Sequence, residues 1–461
     1  MMPPEQSSIR VTVPGYTGRL RLPMSIIAPP STPVSPDQPA LGSGWLALRL
    51  VRLRNNPLAR AAFLLALSNG VAGLLGLAFW TIAARTAPTV SVGAASAFIA
   101  ALGLVVAVAG LGLPEALIRY LPESATPRRL LAVSSLIALA LAVLGGGLLG
   151  LLPSAAPIDP NPLIRGLLGL LTAPPILFFS LASAALLVAR RTGLIFLGSL
   201  GSGAGKVLLV ALMALVGLSS PGALVGAYAG GALVGALIVG TGLRRVYSQP
   251  DSGGRSIGGL LRPLRAYAAT NLTASGVSLI PISLAPSLLA ARAGVEAAAF
   301  AAVPLMLLAF LTLIPSVIAR SLFGEGSRDP AASGHLGWHS LRVALALEVI
   351  VVLVTILAAP TLLGALLGSR YEESGATLLQ LLALASAIAV PNYIIDVLLN
   401  IRRDKGGFAL VNVGGTALIL TALFLFANSP TGLGVAWIVG QSGYLALAGS
   451  VLFLHSRPRG G

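Results

Sequence analysis

Long apolar runs recur along most of the chain at a spacing typical of helices that span a membrane. From Ala61 onward, twelve such runs alternate with short segments rich in Pro, Gly, Ser, Asn or Arg. A transmembrane helix needs about 20 apolar residues to cross the hydrocarbon core. The runs fall at 61–84, 92–113, 130–152, 163–189, 194–217, 221–243, 265–290, 297–319, 341–367, 375–400, 407–427 and 432–454. The pattern predicts an all-α polytopic membrane protein with about twelve transmembrane helices.

The first 56 residues differ from the rest of the chain because nine prolines fall among the first 40. No apolar run there has the continuous core of a signal peptide. Residues 1–56 are therefore predicted to be a disordered, Pro-rich cytoplasmic tail. Overlapping Pro-x-x-Pro spacings from Pro30 to Pro39 leave open that this tail binds a partner protein.

Composition excludes most soluble classes of protein. Of the 461 residues, 56% are hydrophobic and 10% are charged, against about 25% charged in an average soluble domain. A water-soluble enzyme cannot bury that much apolar surface. The chain has no Cys, which removes disulfides, thiolate metal sites and Cys nucleophiles. We expect no metal site and no bound cofactor.

The basic charges lie almost entirely on one side of the predicted membrane. The chain has 30 Lys and Arg against 14 Asp and Glu, for a net charge of +16. With the N-terminus in the cytoplasm, 25 of the 30 fall in cytoplasmic segments and four (Arg85, Arg165, Arg292 and Arg370) in outer segments. The positive-inside rule explains this asymmetry. Both termini are therefore predicted to be cytoplasmic, and the charge indicates membrane lipids rather than nucleic acid as partners.

A Gly-rich cytoplasmic linker at 246–264 divides the spans into two sets of six. The sets form a predicted N-terminal bundle at 57–245 and a C-terminal bundle at 265–455, followed by a short cytoplasmic tail at 456–461. Spans one and seven both end near an arginine, and spans four and ten both carry proline and precede paired arginines. Two pseudo-symmetric six-helix bundles around a central cavity are a transporter architecture.

Lys206 is the leading candidate for substrate binding because it alone among the basic residues lies inside a span, near the middle of the fifth. An unpaired lysine at that depth costs about 2.5–3.5 kcal/mol on insertion scales. We therefore expect Lys206 to face a water-filled cavity, a carboxylate or an anionic substrate. The alternative is a lysine that reaches the interface along its helix.

Two carboxylates inside spans are candidates for coupling transport to a proton or sodium gradient. Glu348 lies about two turns into the ninth span, and Asp396 lies about one turn from the cytoplasmic end of the tenth. Either could exchange a proton or pair with Lys206, and Asp396 could instead pair with Arg402. Of the two, Glu348 is the preferred proton site.

Five further polar residues are candidate substrate contacts. Arg85 and Arg292 lie at the outer ends of spans one and seven. They could receive an anionic head group or simply extend to the membrane interface. Asn69, Asn392 and Gln441 lie within spans. They could contact a polar substrate, although hydrogen bonds between helices explain most such residues.

Several short motifs resemble the polysaccharide transporter family, which includes the O-antigen flippases and belongs to the multidrug/oligosaccharidyl-lipid/polysaccharide exporter superfamily. The motifs are Ala84-Arg85-Thr86-Ala87-Pro88, Gly110-Leu111-Gly112-Leu113-Pro114 through Arg119, Leu363-Gly364 with Gly368 to Tyr371, and Gly432-Leu433-Gly434-Val435-Ala436-Trp437. The likeness covers about 60–455. It implies a non-enzymatic flippase that moves undecaprenyl-pyrophosphate-linked oligosaccharides outward across the bacterial cytoplasmic membrane, for cell-surface polysaccharide biosynthesis. Glycan-assembly proteins are then the expected partners of the tail.

Rival functions stay open beside the flippase. Ion-coupled small-molecule exporters of the same superfamily usually carry an acidic residue in the first helix, but the span at 61–84 contains Asn69 and no carboxylate. Membrane-embedded glycan polymerases and ligases have a large outer loop with acidic or His residues. The longest outer loop in this chain, 153–162, holds only Asp159. A non-transporting scaffold for glycan assembly would also suit the Pro-rich tail.

Overall fold

The computed structural model describes residues 9–13, 16–20, 57–110, 112–152, 155, 157–247, 277–327, 329 and 332–456. They form two compact units, Met1–Arg60 and Ala61–Gly461. In the first unit, strand β1 (Ile9–Val13) pairs antiparallel with β2 (Tyr16–Leu20). The sequence interpretation missed this hairpin, whose signal is the turn-forming Pro14-Gly15 dipeptide. The rest of the tail lies outside the described residues, so its disorder stays a prediction.

In the N-terminal half of the membrane part, the described residues form seven helices. They are α1 (Pro57–Thr86), α2 (Thr89–Gly110), α3 (Leu113–Tyr120), α4 (Pro127–Leu151), α5 (Pro162–Val188), α6 (Thr192–Leu215) and α7 (Pro221–Val246). Local sequence fixes several of these starts. Asn161 and Ser220 cap α5 and α7 by accepting a hydrogen bond from a backbone N–H of the first turn, and each helix then begins with proline. Both features are typical of helix N-termini.

In the C-terminal half, the described residues form seven more helices, whose order matches that of the first half. They are α8 (Ile280–Ala293), α9 (Val295–Leu311), α10 (Leu313–Gly326), α11 (Ser333–Leu367), α12 (Glu372–Ile401), α13 (Lys405–Phe426) and α14 (Pro430–Ser456), with 3₁₀ turns at Val277–Leu279 and Ser369–Tyr371. Residues 248–276, which include most of the predicted linker and the start of the seventh span, lie outside the described residues. The predicted bundle boundaries there stay predictions.

Within the described residues, eleven helical segments are long and apolar enough to cross a membrane. The shorter apolar segment Val277–Ala293 falls in the remaining predicted span. The predicted class, an all-α polytopic membrane protein with about twelve spans, is therefore confirmed for this unit.

The second span of each half is divided into two helices, a feature that the sequence interpretation missed. In the first half, α2 ends at Gly110 and α3 begins after Gly112, which has a φ of 65°. In the second half, Thr312 separates α9 from α10. Pro114 or Pro315 lies in the first turn of the following helix, where its missing N–H is tolerated. The shared break supports the predicted repeat.

The backbone conformation at two arginines shows the same repeat. Among the described residues other than glycine, only Arg190 and Arg403 have a positive φ, and both values are 56°. Arg190 follows α5, and Arg403 follows α12. A left-handed residue after a helix satisfies the last carbonyl groups and stops the helix. The paired arginines noted in the sequence are therefore equivalent helix ends in the two halves.

Candidate functional site

Lys206 lines a cavity inside the N-terminal half. The cavity has a volume of 170 Å³ and is walled by α1, α5, α6 and α7 through residues that include Gly76, Phe179, Ser202 and Tyr228. The ammonium Nζ of Lys206 lies 3.8 Å from the centroid of the Tyr228 ring. The ring face carries negative potential and attracts a cation. Lys206 thus faces a cavity, one of the environments that its position in the sequence predicts.

No carboxylate neutralises Lys206 within the described part of the chain. Neither Glu348 nor Asp396 forms an ion pair with it, because each carboxyl group bonds inside the C-terminal half. The lysine stem is held by close packing of α6 on α7. A Cβ at Gly231 would overlap Lys206 and the carbonyl of Ser202. The lysine is therefore a positioned charge without an acidic partner among the described residues.

Asp396 anchors a polar cluster between α12, α13 and α14. Its Oδ2 accepts a hydrogen bond from the hydroxyl of Tyr444 at 3.1 Å, and its Oδ1 accepts one from Nδ2 of Asn412 at 3.3 Å. The alternative pairing of Asp396 with Arg402 is not formed. A carboxylate inside a membrane span is costly unless a cation or a proton compensates it, and both observed donors are neutral. The cluster has the chemistry of a proton or cation site.

Asn392 and Gln441 pair one helical turn from this cluster. The Nδ2 of Asn392 donates to Oε1 of Gln441 at 3.0 Å. Asn392 is buried, and its Oδ1 has no partner. Because Asn392 and Asp396 lie four residues apart on α12, they share one face of that helix. The two predicted substrate contacts thus lie beside the acidic cluster in the C-terminal half, remote in the chain from Lys206.

Glu348 is fully buried where α11 packs on α12. Its Oε1 lies 2.6 Å from Oγ of Ser386, and its Oε2 is buried without a hydrogen-bond partner. The same Oγ lies 2.7 Å from the carbonyl oxygen of Ala383. The one hydroxyl proton of Ser386 is shared between these two oxygens, so it satisfies the buried carboxyl group of Glu348 only weakly. This geometry favours a structural role for Glu348 in the packing of α11 on α12. Asp396, which accepts hydrogen bonds from Tyr444 and Asn412, is the more extensively bonded of the two acids. Ion coupling by either residue stays a prediction.

Arg85 and Arg292 both bind the C-terminal carbonyl groups of a neighbouring helix. Arg85 donates to the carbonyl oxygens of Ala365 and Leu366 near the end of α11, through Nη2 and through Nε at 2.9 Å. Arg292 donates to the carbonyl oxygen of Phe424 near the end of α13. Cations are favoured at helix C-termini. The repeat-related arginines differ in one respect: Arg85 bridges the two halves, whereas Arg292 bonds within its own half.

Arg85 also borders a polar cavity at the predicted outer side. The cavity has a volume of 540 Å³, and its lining includes Thr89, Ser369 and Arg370. Two guanidinium groups beside hydroxyl groups suit an anion. Receipt of a head group by Arg85 stays a prediction, as it does for Arg292. Asn69 is exposed on α1, does not line the Lys206 cavity and forms no side-chain hydrogen bond with another described residue.

The two halves touch directly near the same, predicted outer side. The Oγ of Ser287 on α8 donates to the carbonyl oxygen of Ala97 on α2 at 2.8 Å, and Oγ of Ser96 donates to that of Ala298 on α9 at 3.3 Å. A Cβ at Gly93 would overlap the backbone of Val295. Together with Arg85, these contacts hold the halves closed at this side.

The contact partners of Lys206 and Asp396, which are Tyr228, Asn412 and Tyr444, were missed in the sequence. Each is a polar or amphipathic residue within an apolar span, which is a weak signal because such residues commonly join helices. Their importance follows only from the charged residue that each contacts. Tyrosine in particular gives no sign in a sequence of whether its ring or its hydroxyl group is used.

No family model and no curated protein matches this chain. Several solved structures do match it. The lipid II flippase MurJ, in an inward closed conformation, superposes with a TM-score of 0.61 and 13% identity over 86% of this chain and 94% of that chain. A multidrug resistance MATE family transporter of the MOP superfamily, in an inward-facing conformation, gives 0.62 and 14% identity over 86% and 99%.

An outward-facing MATE family transporter gives a lower TM-score of 0.56, with 14% identity over 87% of this chain and 96% of that chain. At these identities the likeness establishes the fold alone. The chain has the fold of MurJ and of the MATE transporters, as the sequence resemblance implied.

Proposed function

We propose that the chain is an alternating-access transporter that flips a polyprenyl-(pyro)phosphate-linked oligosaccharide from the inner to the outer leaflet of the bacterial cytoplasmic membrane, with both termini in the cytoplasm. The single observation that carries this proposal is the positioned Lys206, which faces a cavity without an acidic partner in the described residues. The fold supports it, because one structural neighbour is a lipid II flippase.

The cargo explains why a cation inside the membrane is useful. A diphosphate and its sugars cannot cross hydrocarbon unaided, since desolvating an unpaired charge is prohibitive. Lys206 supplies the opposite charge, and the hydroxyl groups of Ser199 and Ser202 line the same cavity. A volume of 170 Å³ suits a phosphate group rather than an oligosaccharide. The sugars then occupy the passage between the two halves.

The acidic cluster supplies the energy coupling in this proposal. Asp396 is held by Tyr444 and Asn412 without a cation among the described residues. Binding of a proton or of Na⁺ there neutralises the carboxylate and changes the contacts among α12, α13 and α14. Such a change can bias one conformation over the other only if the ion binds the two with different affinity.

A small-molecule exporter is the competing proposal. It is favoured by the likeness to MATE transporters and by the small volume of the Lys206 cavity. A cation in that cavity selects an anionic substrate, whereas a cationic drug would be repelled. A glycan polymerase or ligase gains no support from the structural neighbours, which are transporters.

The test uses a strain that lacks the gene, complemented with wild type, Lys206→Ala or Lys405→Ala. The second variant removes the only other lysine, which lies exposed at the start of α13. Polyprenyl-linked oligosaccharides are quantified by mass spectrometry. We expect one intermediate to accumulate, and wild type and Lys405→Ala, but not Lys206→Ala, to clear it. An unchanged lipid profile with new drug sensitivity would support the exporter instead.

A further inference from the structure

A second cavity of the N-terminal half forms a groove between α4 and α7, with α5 as its floor. It has a volume of 620 Å³. Its walls are mainly apolar and include Leu131 and Leu139 from α4, and Leu233 and Leu237 from α7. Leu233 and Leu237 are 49% and 60% exposed. In a chain that spans the membrane, apolar side chains this exposed face the lipid, so the groove is accessible to lipid chains.

The floor of the groove is shaped by Pro174, Pro175 and Phe178 on α5. Proline has an apolar ring and no backbone N–H, so these two residues add apolar surface to the floor within the continuous helix α5. On α7, a Cβ at Gly240 would approach the Phe178 ring to 3.2 Å. Glycine at this position keeps the groove open.

Two arginines lie at one end of the groove. Arg128 is at the start of α4 and Arg244 is near the end of α7, and both are exposed. Leu139 lies eleven residues after Arg128, and Leu233 lies eleven before Arg244. At 1.5 Å per residue both intervals are about 16 Å, close to one leaflet of a hydrocarbon core about 30 Å thick. The arginines therefore lie at head-group depth when the apolar end of the groove reaches the midplane.

We propose that this groove is a binding site for an anionic phospholipid of the leaflet at the arginine end. One acyl chain lies along the leucines, and the phosphate group contacts Arg128 and Arg244. Basic pockets between transmembrane helices bind such head groups. The groove is as long as the acyl region of one leaflet, whereas the polyprenyl tail of the proposed cargo is much longer. The site is separate from Lys206 and does not depend on the proposed cargo.

The experiment measures lipid binding to the purified full-length chain by native mass spectrometry, with phosphatidylglycerol or phosphatidylcholine added in detergent. We expect Arg244→Gln to weaken phosphatidylglycerol binding about fivefold, the ratio expected for one charge at a membrane surface. Binding of phosphatidylcholine should not change. Arg245→Gln removes the adjacent exposed charge, which does not line the groove, and should leave both lipids unaffected.

A second pair of variants tests the apolar part. Ala132→Trp places an indole in the groove and should reduce binding of both lipids, whereas Ala140→Trp lies on the same helix outside the groove and should not. If Ala132→Trp does not fold, the comparison of Arg244→Gln with Arg245→Gln still tests the proposal. Equal binding of the two lipids, or equal loss in Arg244→Gln and Arg245→Gln, overturns the proposal. Polyprenyl phosphate that displaces phosphatidylglycerol and responds to the same variants also overturns it, in favour of a cargo site.

Discussion

The two halves of the membrane unit share one helix order but carry opposite charges inside their spans. The N-terminal half holds Lys206, whose ammonium group lies on the face of the Tyr228 ring. The C-terminal half holds Asp396, which accepts a hydrogen bond from the hydroxyl group of Tyr444. Both tyrosines lie on the last helix of their half, α7 or α14. A repeated architecture therefore positions two sites of different chemistry.

The difference shows that a tyrosine side chain can stabilise a charge of either sign. Its ring face attracts a cation, and its hydroxyl group donates to a carboxylate. Neither contact neutralises the charge fully, so each site keeps an affinity for a ligand of opposite sign. Under the proposed function, the N-terminal half binds the anionic cargo and the C-terminal half binds the coupling cation. Variants in each half therefore test this division between the halves.

The largest effect is expected for Lys206→Met, which keeps the length of the side chain and removes its charge. Loss of one partner from a buried charge pair costs about 2–5 kcal/mol, so the flipping rate of a fluorescent polyprenyl-diphosphate oligosaccharide in proteoliposomes should fall at least about thirtyfold. Lys405→Met is the matched control and should flip at the wild-type rate. A Lys206→Met protein that is folded and still active would remove the N-terminal half from cargo binding.

Asp396→Asn should abolish the dependence of transport on an ion gradient, because the amide cannot take up a proton and carries no charge to bind Na⁺. The measurement is flipping with and without an imposed proton or sodium gradient. The matched comparison is Glu348→Gln, which alters the buried contact with Ser386. That variant should lower thermal stability and keep the ion dependence. The reverse result would place coupling at Glu348, the residue that the sequence favoured.

The membrane fold could be predicted almost completely from the sequence. Hydropathy, span length and the positions of Arg and Lys are local features that can be read along the chain. It also locates Lys206 and Asp396, since a charge within an apolar run is visible by itself. It does not locate their partners. Tyr228 is 22 residues from Lys206, and Tyr444 is 48 from Asp396. Such contacts depend on which helix faces pack together, and apolar spans give little signal for that orientation.

Gly93→Ala should disturb the contact between the halves by overlapping the backbone of Val295. Overpacking of this kind costs about 1–3 kcal/mol, so both the thermal stability and the closed outer side should be weakened. Gly147→Ala on α4 is the control, because a Cβ there meets nothing within 4 Å. That change should leave stability unaltered or raise it by up to about 1 kcal/mol. Equal effects of the two variants would mean that close contact at Gly93 is unimportant.

The smallest effect is expected for Arg85→Ala. This variant is also the most direct test of the difference between the two halves. Its guanidinium group ties α1 to the end of α11 across the two halves. Removing charged hydrogen bonds worth about 1.5 kcal/mol should raise the population open at the outer side about tenfold. Because the chain has no Cys, spin labels at Pro88→Cys and Ser369→Cys, both exposed positions, can report the distance without background labelling.

Arg292→Ala is the control that makes the Arg85 result specific. Arg292 occupies the repeat-related position but donates to Phe424 within its own half. Its loss should destabilise the packing of α8 on α13 without changing the Pro88–Ser369 distance distribution. If both variants shift that distribution equally, the two arginines act as general stabilisers of helix ends. A shift confined to Arg85→Ala shows that only this arginine of the repeat-related pair joins the two halves. The reason is that its acceptor helix, α11, belongs to the opposite half.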